Sequence, residues 1–547
     1  MRLHAVGGCS LLVELDSLAS VLGAQSLLRG QDLPGVRDIV AAARTVLVTC
    51  DSPAAVRAVR ALLAGPPPEG QGLLPGTRHT IQTRYDGADL TEASRLAGLS
   101  VEALVSWHSG QRWTAAFGGF APGFMYLTPD KHPLSIPRHA SPRTIVPAGS
   151  VAVGGEFSAV YPGPSPGGWQ LLGRCADVLW DPDAASPALI QPGDSVRFAP
   201  VRSLVRIGAG RAPAAPHPVP PPVPHPAPGP PSTANGLLAV SAGPFTTVQD
   251  LGRPGFAHLG VTASGALDRA GLRRANRMAG NPFPAPGAAG LEIVMGGLRL
   301  QAVGSQILAV AGSGVRLSIT SPGGSLRSAP ANAPFLLRDG ETVAIHTADK
   351  PTSLRSTLAV RGGIDLPPVL GSRATDVLSG LGPEVVGTGM FLPVAPSAGI
   401  VGFPEEAPPP PPEITELRFT PGPRHDWFTL SSLAGFERRL WLAGGSSNRI
   451  GLRLDPGAPG DKGLERTRAA KGLELPSEGM AKGAIQVPPS GQPVLFLADH
   501  PVTGGYPVLG VVVAADLDKA AALLPGAKVR FSRVGGAGTR TGPTRWD

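Results

Sequence analysis

The chain has 547 residues and a formal net charge of +8 at pH 7, which is too long for one hydrophobic core and predicts three or four domains. With 73 Gly and 62 Pro but only 16% charged residues, the composition is typical of short strands joined by tight turns and excludes a disordered chain. The basic residues are scattered singly, without a Lys/Arg stripe or interleaved aromatic residues, which argues against nucleic-acid binding.

Cysteine usage and hydropathy indicate the compartment. The three cysteines, Cys9, Cys50 and Cys175, are odd in number and widely spaced, which argues against a disulfide framework or a zinc site and suits a reducing compartment. No signal-like segment opens the chain, and no stretch approaches the ~18 apolar residues of a spanning helix. We therefore expect a cytoplasmic protein without a membrane association or a metal centre.

The first 88 residues predict a small ferredoxin-like α+β unit, in the order strand, helix, two strands, helix, strand. The strands are expected at residues 11–15, 36–40, 45–49 and 79–85. Asp16 can cap the first helix, and Ser52 followed by Pro53 caps the second.

The remaining chain predicts β-rich modules separated by proline-rich joints. Residues 89–207 begin with two short helices and continue as a first module. Residues 208–236 are too proline-rich to pack a core and favour an extended linker. Residues 237–403 and 413–536 form the second and third modules, and the tail beyond Val534 is expected to fray.

Three sequence signals occur twice in the same order. The segments 149–153, 165–173 and 192–198 return as 483–487, 504–510 and 525–531, each set closing on a Pro-Gly turn and a strand. A fainter copy of the closing signal lies at 338–345. This repetition predicts related β-modules, and we expect three similar barrels.

His108 and the Pro-Gly turn that follows it form the first candidate site. The turn Phe120-Ala121-Pro122-Gly123 lets the backbone approach a ligand closely between aromatic walls, although a lone histidine is more often structural. Arg138 and Arg143 each follow a proline and suit a carboxylate or a phosphate; surface ion pairs are the alternative.

Polar side chains on Gly-rich turns form further candidate sites in the second half. The alternative is turn chemistry, in which short polar side chains cap their own backbone. The clusters are Gln249-Asp250 with Arg253, Ser264 with Asp268 and Asn276, Asn448-Arg449, Glu478, Gln486, and Thr503 with Tyr506.

Several catalytic motifs are absent or incomplete. Gly163-Pro164-Ser165-Pro166-Gly167 has the spacing of a nucleophile elbow, but Pro166 has no N–H for an oxyanion hole, so we reject Ser165 as a nucleophile. The sequence has no Walker-type phosphate loop, dinucleotide fingerprint or H-E-x-x-H motif. A nucleotide site would therefore be unconventional or shared with a partner.

Residues 1–207 resemble the B subunit of 5-oxoprolinase through Phe120-Ala121-Pro122-Gly123-Phe124, Pro137-Arg138, Val146-Pro147-Ala148-Gly149-Ser150 and Ser165-Pro166-Gly167-Gly168-Trp169. Residues 237–535 resemble the C subunit of 5-oxoprolinase, which represents the biotin-dependent carboxyltransferase or urea amidolyase-related family, through 247–255, 264–268, 447–451 and 483–488. Older names for the two halves are allophanate hydrolase subunits 1 and 2.

The resemblance implies tandem cyclophilin-like β-barrels, so the expected fold is mainly β with the small N-terminal ferredoxin-like unit. It also implies three functions. The first is an ATP-dependent lactam hydrolase component that opens 5-oxo-L-proline to L-glutamate with a separate A subunit. The second is the carboxyltransferase component of a biotin-dependent, urea-type carboxylase, and the third is a non-catalytic regulator of a kinase.

We expect the first function, with ATP and its Mg²⁺ as cosubstrate, a small-molecule amide as substrate and a partner that resembles the A subunit. The chain contains no Met-Lys dipeptide, so we expect no covalent biotin on it. The sequence leaves open whether the chain forms a homo-oligomer. His108, Asp250 and Glu478 are the candidate catalytic residues. The candidate binding residues are Phe120, Pro122, Gly123, Arg138, Arg143, Ser150, Gln249, Arg253, Ser264, Asp268, Asn276, Asn448, Arg449, Gln486, Thr503 and Tyr506.

One departure from the family pattern bears on the substrate. Where the family carries a Gln-Thr-Gly-like segment before its Tyr-Pro pair, this chain has Glu156-Phe157-Ser158-Ala159. An amide and a hydroxyl are lost beside the expected pocket.

Overall fold

The computed structural model describes residues 1–65, 76–139, 143–204, 235–282, 288–458, 460 and 463–534. Helices account for 16% of the chain and strands for 36%, so the predicted mainly β class with barrels is confirmed. Most of the predicted linker, residues 208–234, lies outside the described residues, as do Pro142 and the tail beyond Val534.

Four strands and two helices form the N-terminal unit: β1 (Arg2–Val6), β2 (Ser10–Glu14), α1 (Leu18–Arg29), β3 (Val36–Ala41), β4 (Thr45–Cys50) and α2 (Pro53–Leu62). The strands are antiparallel in the order β1-β2-β4-β3. Ser17, rather than Asp16, caps α1, and Ser52 caps α2 as predicted. This order differs from the predicted ferredoxin-like one, because an N-terminal hairpin supplies two strands and the strand expected at 79–85 joins the next module.

The first barrel contains β5 (Arg78–Thr83), α3 (Leu90–Ala97), α4 (Val101–Gly110), β6 (Trp113–Gly118), β7 (Met125–Pro129), β8 (Arg143–Val146), β9 (Ser150–Gly154), β10 (Phe157–Val160), β11 (Ser165–Gly167), β12 (Gln170–Arg174) and β13 (Ser195–Pro200). Seven strands form one sheet in the order β12-β9-β10-β7-β6-β13-β5, and β8 and β11 form a separate pair. A bridge between Arg84 and Arg174 joins the two ends of the sheet, which nearly closes the barrel.

The middle module contains β14 (Gly236–Ala242), β15 (Phe245–Gln249), α5 (Arg269–Ala279), β16 (Gly290–Val294), β17 (Leu298–Val303), β18 (Gln306–Ala311), β19 (Val315–Thr320), β20 (Leu326–Ala329), β21 (Pro334–Leu337), β22 (Thr342–Thr347), β23 (Arg355–Val360) and β24 (Phe391–Pro393), with a 3-10 helix at Ala257–Leu259. Its strands form two sheets, β20-β19-β22-β17-β14-β24 and β15-β16-β23-β18-β21. Residues of both sheets, such as Leu300 and Leu358, share one core.

The last barrel contains β25 (Ile414–Pro421), α6 (Leu430–Arg438), β26 (Trp441–Ala443), β27 (Gly451–Pro456), β28 (Glu478–Gly479), β29 (Ala484–Gln486), β30 (Val494–Phe496), β31 (Thr503–Gly504), β32 (Val508–Val512), α7 (Ala514–Ala522) and β33 (Lys528–Arg533). A second 3-10 helix lies at His425–Trp427. Seven strands close on themselves in the order β25-β32-β29-β30-β27-β26-β33, while β28 and β31 form a separate pair.

The first and last barrels have the same strand order. Reading from β5, the first barrel runs β5-β13-β6-β7-β10-β9-β12, and reading from β25, the last runs β25-β33-β26-β27-β30-β29-β32. In each, the first and final strands pair in parallel. The predicted relation between these two modules is therefore confirmed. The third closing signal falls on β22, inside a six-stranded sheet, so two of the three expected barrels share this order.

The two halves of the chain contact each other directly. The Asp38 carboxylate on β3 accepts hydrogen bonds from the amides of Gly255 and Ala257, each at 3.1 Å. The Phe120 amide donates to Thr503 Oγ1 at 2.9 Å. The N-terminal unit and first barrel are thereby joined to the middle module and the last barrel.

Candidate functional site

A cleft of about 670 Å³ lies where the N-terminal unit, the first barrel and the segment before β28 meet. A volume in this range is typical of small-molecule sites, which often lie at domain junctions. Its walls are formed by Asp16, Ser17, Leu18, Ala43, Arg44, Phe117, Tyr126, Thr128, Ser135, Pro137, Arg138, 154–157 and 474–477.

Aromatic rings form one wall of the cleft. Phe117 on β6 and Tyr126 on β7 are cross-strand partners, and their rings stack with centroids 4.5 Å apart. Phe157 on β10 meets both edge-on, at 5.7 and 5.6 Å. Phe117 is buried beneath this wall and Phe157 is partly exposed, so Phe157 offers the apolar surface to a planar ligand. Tyr126 is buried, with 4% of the residue exposed, and in the described chain its hydroxyl makes no protein hydrogen bond.

Two arginines and three carboxylates line the same cleft. Arg44 lies in the turn between β3 and β4, and Arg138 lies with its guanidinium 5.5 Å from the Trp169 ring centroid. Within the described chain, neither guanidinium has a carboxylate at ion-pair distance, so both can bind an anion. The exposed acids are Asp16, Glu156 and Glu474.

Arg143, by contrast, belongs to the scaffold. Its Nη2 lies 2.5 Å from Asp89 Oδ1, at the start of α3. Burial alone would raise the pKa of Asp89, but hydrogen bonds from the Leu171 amide, Arg143 and His139 lower it below its usual value. The prediction that Arg143 binds a ligand anion is therefore corrected, because its charge is already paired.

His108 is a core residue rather than a group facing the cleft. Its side chain is fully buried, with Nδ1 2.7 Å from the Tyr85 hydroxyl and Nε2 2.8 Å from Ser158 Oγ. Its ring packs 4.5 Å from that of Phe198. Burial lowers the pKa of His108 to about 3, so the imidazole is neutral near pH 7. This geometry contradicts the predicted general acid-base role.

The Pro-Gly turn joins the two halves instead of lining the cleft. Phe120 has a φ of 65° and donates its amide to Thr503 in the last barrel. The Gly123 amide donates to the Leu259 carbonyl of the middle module at 2.8 Å, next to Pro122. Ser150 is buried at the start of β9. Phe120, Gly123 and Thr503 thus hold an internal interface, and Ser150 belongs to the first barrel.

The cluster around Asp250 also stabilises loops. The Asp250 carboxylate accepts hydrogen bonds from Ser372 Oγ at 2.6 Å and from the amides of Gly252 and Arg373. Arg253 is 1% exposed and donates to the carbonyls of Val369 and Ala374. The predicted catalytic role of Asp250 is therefore corrected to that of a loop anchor.

Other predicted residues of the middle module have similar roles. Gln249 donates to Thr247 and to the Thr375 carbonyl. Asp268 caps α5 through the Gly271 amide, and burial raises the pKa of its carboxyl to about 6. Asn276 donates to the Leu272 and Ala288 carbonyls.

Ser264 and Arg449 meet in a buried ionic network. Arg449, 1% exposed, donates to Asp499 through Nε at 2.9 Å and Nη2 at 3.0 Å, and to Glu292 through Nη1 at 2.7 Å. Ser264 Oγ donates to Asp499 at 2.6 Å. Burial alone would lower the pKa of Arg449, but the two carboxylates raise it. Arg449 and Asn448 line a second cavity, of about 310 Å³.

Glu478 is tied to an arginine close to the cleft. Its Oε1 accepts from Arg424, which also donates to Glu14 Oε1 at 2.9 Å. Burial raises the pKa of Glu478, while Arg424 opposes that shift. Ser477, the residue before Glu478, lines the cleft, whereas Glu478 itself does not. Glu478 therefore positions this wall, and its predicted catalytic role rests on its being next to a cleft residue.

Gln486 and Tyr506 lie farther along the same barrel. Gln486 Nε2 donates to the Tyr506 carbonyl at 3.2 Å. The Tyr506 side chain is exposed.

The structure thus places Arg138 in the cleft. Asn448 and Arg449 line the second cavity and Tyr506 exposes its side chain, while the other predicted residues make internal contacts. Sequence reasoning missed Arg44, Tyr126 and Glu474 as site residues. Tyr126 lies three residues after Gly123, in the aromatic run that follows the Pro-Gly turn, and that run was the available signal. Arg44 and Glu474 carry no local pattern that distinguishes them from other surface charges.

Within the described ranges, His, Cys, Asp and Glu side chains form no group of three that could hold a metal ion. Among those residues, no helix has the length and apolar character needed to span a membrane.

Family models match both halves. The carboxyltransferase domain, subdomains A and B, matches residues 259–533, and the carboxyltransferase domain, subdomains C and D, matches residues 1–190. The chain therefore belongs to the carboxyltransferase domain family, in agreement with the resemblance drawn from the sequence.

Its relatives include separate proteins for the two halves. The chain is 33% identical over 310 residues to the C subunit of 5-oxoprolinase from Escherichia coli (strain K12), covering 54% of this chain and 90% of that protein. It is 35% identical over 209 residues to the B subunit of 5-oxoprolinase from Escherichia coli O157:H7, covering 36% and 95%. These matches are consistent with a fusion of B-like and C-like parts.

The chain is also similar to a much longer protein and to a solved structure of similar length. Urea amidolyase of Lachancea kluyveri is 31% identical over 314 residues, which are 53% of this chain but 16% of that protein. The crystal structure of TTHA0988 superposes with a TM-score of 0.76 at 30% identity, covering 96% of this chain and 100% of that one.

Proposed function

We propose that this chain is the combined B and C component of an ATP-dependent 5-oxoprolinase, which opens 5-oxo-L-proline to L-glutamate with a separate protein that resembles the A subunit of that enzyme. The observation that carries this proposal is the cleft, whose walls come from the B-like half and from residues 474–477 of the C-like half. In a site shared in this way, both parts would contribute to one activity.

The lining of the cleft suits a small cyclic amide with a carboxylate. Arg138 and Arg44 would bind the carboxylate, since a guanidinium forms charge-assisted hydrogen bonds with it. Phe157, supported by the buried Phe117, would pack against the ring. The Tyr126 hydroxyl would donate to the lactam oxygen, where negative charge develops when the carbonyl carbon is attacked.

ATP supplies the driving force in this proposal. Amide resonance protects the lactam from water, and phosphorylation of its oxygen would make the carbon electrophilic and create a leaving group. Because the sequence lacks a classical phosphate loop, we place the ATP and its Mg²⁺ at a site shared with the A-like partner.

Turnover with the partner tests the proposal. The purified chain is mixed with a genomically adjacent A-like protein, ATP and 5-oxo-L-proline, and the release of ADP and glutamate is measured. We expect both products only when the two proteins are present. Absence of 5-oxoproline-stimulated ADP release from the mixture would refute the proposal.

Carboxyl transfer is the second candidate, favoured by the family description and by the urea amidolyase relative. It requires a biotinylated partner, because this chain has no Met-Lys site. A streptavidin blot of co-purified protein and the dependence of activity on bicarbonate distinguish it from lactam hydrolysis.

A further inference from the structure

The cavity of about 310 Å³ lies between the middle module and the last barrel. Most of its wall is apolar, contributed by both modules, and includes Phe245, Val294, Leu452, Leu497 and Leu523. Its polar lining comes from Arg355 at the start of β23 and from the turn at 444–449.

Arg355 has unused hydrogen-bonding capacity in this wall. Its side chain is 7% exposed. Nη1 donates to the Ala521 carbonyl of α7 at 2.6 Å, while Nε lies 3.5 Å from Glu292 Oε1 without forming a hydrogen bond. In the described ranges Nη2 has no hydrogen-bond partner. Arg355 lines the cavity beside Ala520 and Arg449.

The nearby carboxylates are committed to another arginine. Glu292 accepts from Arg449 Nη1 at 2.7 Å and from the Leu267 amide at 2.8 Å. Asp499 accepts twice from Arg449. Arg355 therefore shares Glu292 with Arg449 as an ion pair at 3.5 Å but has no hydrogen bond to a carboxylate, and the donors left over on a buried guanidinium favour an anionic acceptor.

The turn at 444–449 offers further donors. Asn448 Oδ1 accepts from the amides of Ile450 and Gly451 at 2.9 and 3.2 Å, which leaves its Nδ2 to donate. The Gly445 amide makes no hydrogen bond to the described part of the chain. One end of the cavity thus carries donors, and the rest is apolar.

We propose that this cavity is a second ligand site, which binds a small carboxylate with an apolar ring or chain through Arg355. The carboxylate would face Arg355 and the turn, and the apolar body would contact the leucine and phenylalanine side chains. The volume is at the lower end of small-molecule sites, so the ligand is smaller than a nucleotide. The proposal is independent of the cleft and of its proposed activity.

Calorimetric titration of the full chain with benzoate and with 5-oxo-L-proline tests it, without ATP or partner. We expect binding of benzoate, and an increase of about 10-fold or more in its Kd in Arg355→Met, the change produced by loss of a charge-assisted hydrogen bond. Arg299→Met is the matched control, because Arg299 is exposed on β17 of the same module.

A second variant covers the case in which Arg355→Met does not fold. Gly445 is exposed and lines the cavity, and a Cβ there would meet no atom within 4 Å, so we expect Gly445→Phe to fold and its ring to crowd the cavity. It is expected to weaken benzoate binding as well. Binding of both probes indicates a general carboxylate site, and binding of 5-oxo-L-proline alone, lost in Arg355→Met, indicates a selective one.

The proposal is overturned if neither probe binds, or if the wild-type Kd persists in folded Arg355→Met or in Gly445→Phe. Failure of the turnover assay with the A-like partner would leave this result unaffected, since the titration requires no catalysis.

Discussion

His108 lies at the same place in the first barrel as Phe436 in the last. Each precedes a buried tryptophan by five positions, and the indole Nε1 of Trp113 or Trp441 donates to its carbonyl, at 3.0 and 3.1 Å. Each ring lies 4.5 Å from the phenylalanine of the closing strand. The internal repeat therefore identifies the position of His108 as that of a core aromatic residue.

The first prediction concerns the pH dependence of stability. The pKa of His108 is about 3 in the folded chain and 6.5 in the reference state, so the unfolded chain binds the extra proton between these values. The contribution of His108 to the free energy of unfolding is therefore fully present above about pH 6.5 and is lost as the pH decreases. At pH 5 this residue alone lowers the free energy of unfolding by about 2 kcal/mol relative to neutral pH. His108→Gln should flatten this slope. Urea unfolding of both chains at pH 7 and pH 5 measures it.

A catalytic histidine would give another outcome. Replacement would then lower turnover by roughly 10²- to 10⁴-fold with an unchanged dependence of unfolding on pH. We expect instead that His108→Gln loses about 1 to 3 kcal/mol of stability and keeps its turnover per folded molecule.

The second prediction compares two arginines. Arg138→Lys should raise the KM for the anionic substrate by about 10- to 150-fold, because lysine keeps the charge but loses the planar fork. Arg143→Lys should leave the KM unchanged and lower the free energy of unfolding by about 1 kcal/mol, since it weakens the contact with Asp89. Steady-state kinetics and thermal unfolding separate the two. Equal KM values for both variants would remove Arg138 from the site.

At the level of elements, close backbone packing joins β6 to the 3-10 helix at Ala257–Leu259. A Cβ on Gly118 would lie 2.3 Å from the His258 carbonyl oxygen. Gly260 just beyond, with a φ of 79°, packs against the Ala121 carbonyl. These glycines let strand and helix from different halves approach each other.

The third prediction follows from this approach. Gly118→Ala should destabilise the chain by about 1 to 3 kcal/mol, because the carbonyl can only move with its helix. Gly163→Ala is the matched control, since its Cβ would meet no atom within 4 Å. Chemical denaturation measures both. Equal stabilities of the two variants would show that the interface adapts.

The repeated signals predicted β9, β12 and β13 and their counterparts well, because glycine and proline fix the turns that flank them. The N-terminal hairpin was missed, since Gly7-Gly8 joins strands of only five residues. The pairing of β5 with the sheet of the first barrel was also not predicted. Its parallel partner β13 lies more than a hundred residues away, and no local pattern encodes such a pairing.

The candidate site was harder to predict for a related reason. Asp250, Arg253 and Ser264 had the residue types and glycine neighbours of a ligand site, yet their partners are distant loops of the same chain. Arg138 and Arg143 look alike in sequence, and Asp89, a residue on another element, decides between them. Binding residues are distinguished by which charges stay unpaired, and that is a property of the tertiary structure.

For the whole molecule, Arg424 connects the N-terminal sheet with the last barrel. It donates to Glu14 on β2 and to Glu478 on β28, and their side chains are 26% and 4% exposed. The Ala43 amide donates to the Ser477 carbonyl alongside, at 3.3 Å. This junction forms one edge of the cleft, so its stability and the shape of the site are linked.

The last prediction is therefore that Arg424→Met destabilises the chain by about 3 to 5 kcal/mol, because removal of one partner leaves the buried Glu478 carboxylate uncompensated. Adding Glu478→Leu should restore part of the loss, since replacing both partners removes the buried charge. Arg277→Met, which breaks an exposed pair with Glu405, should cost less than about 1 kcal/mol. Urea unfolding of the four chains measures these differences. If Arg424→Met and Arg277→Met lower the free energy of unfolding equally, apolar contacts hold the two halves together. The cleft should then keep its substrate affinity when Arg424 is replaced.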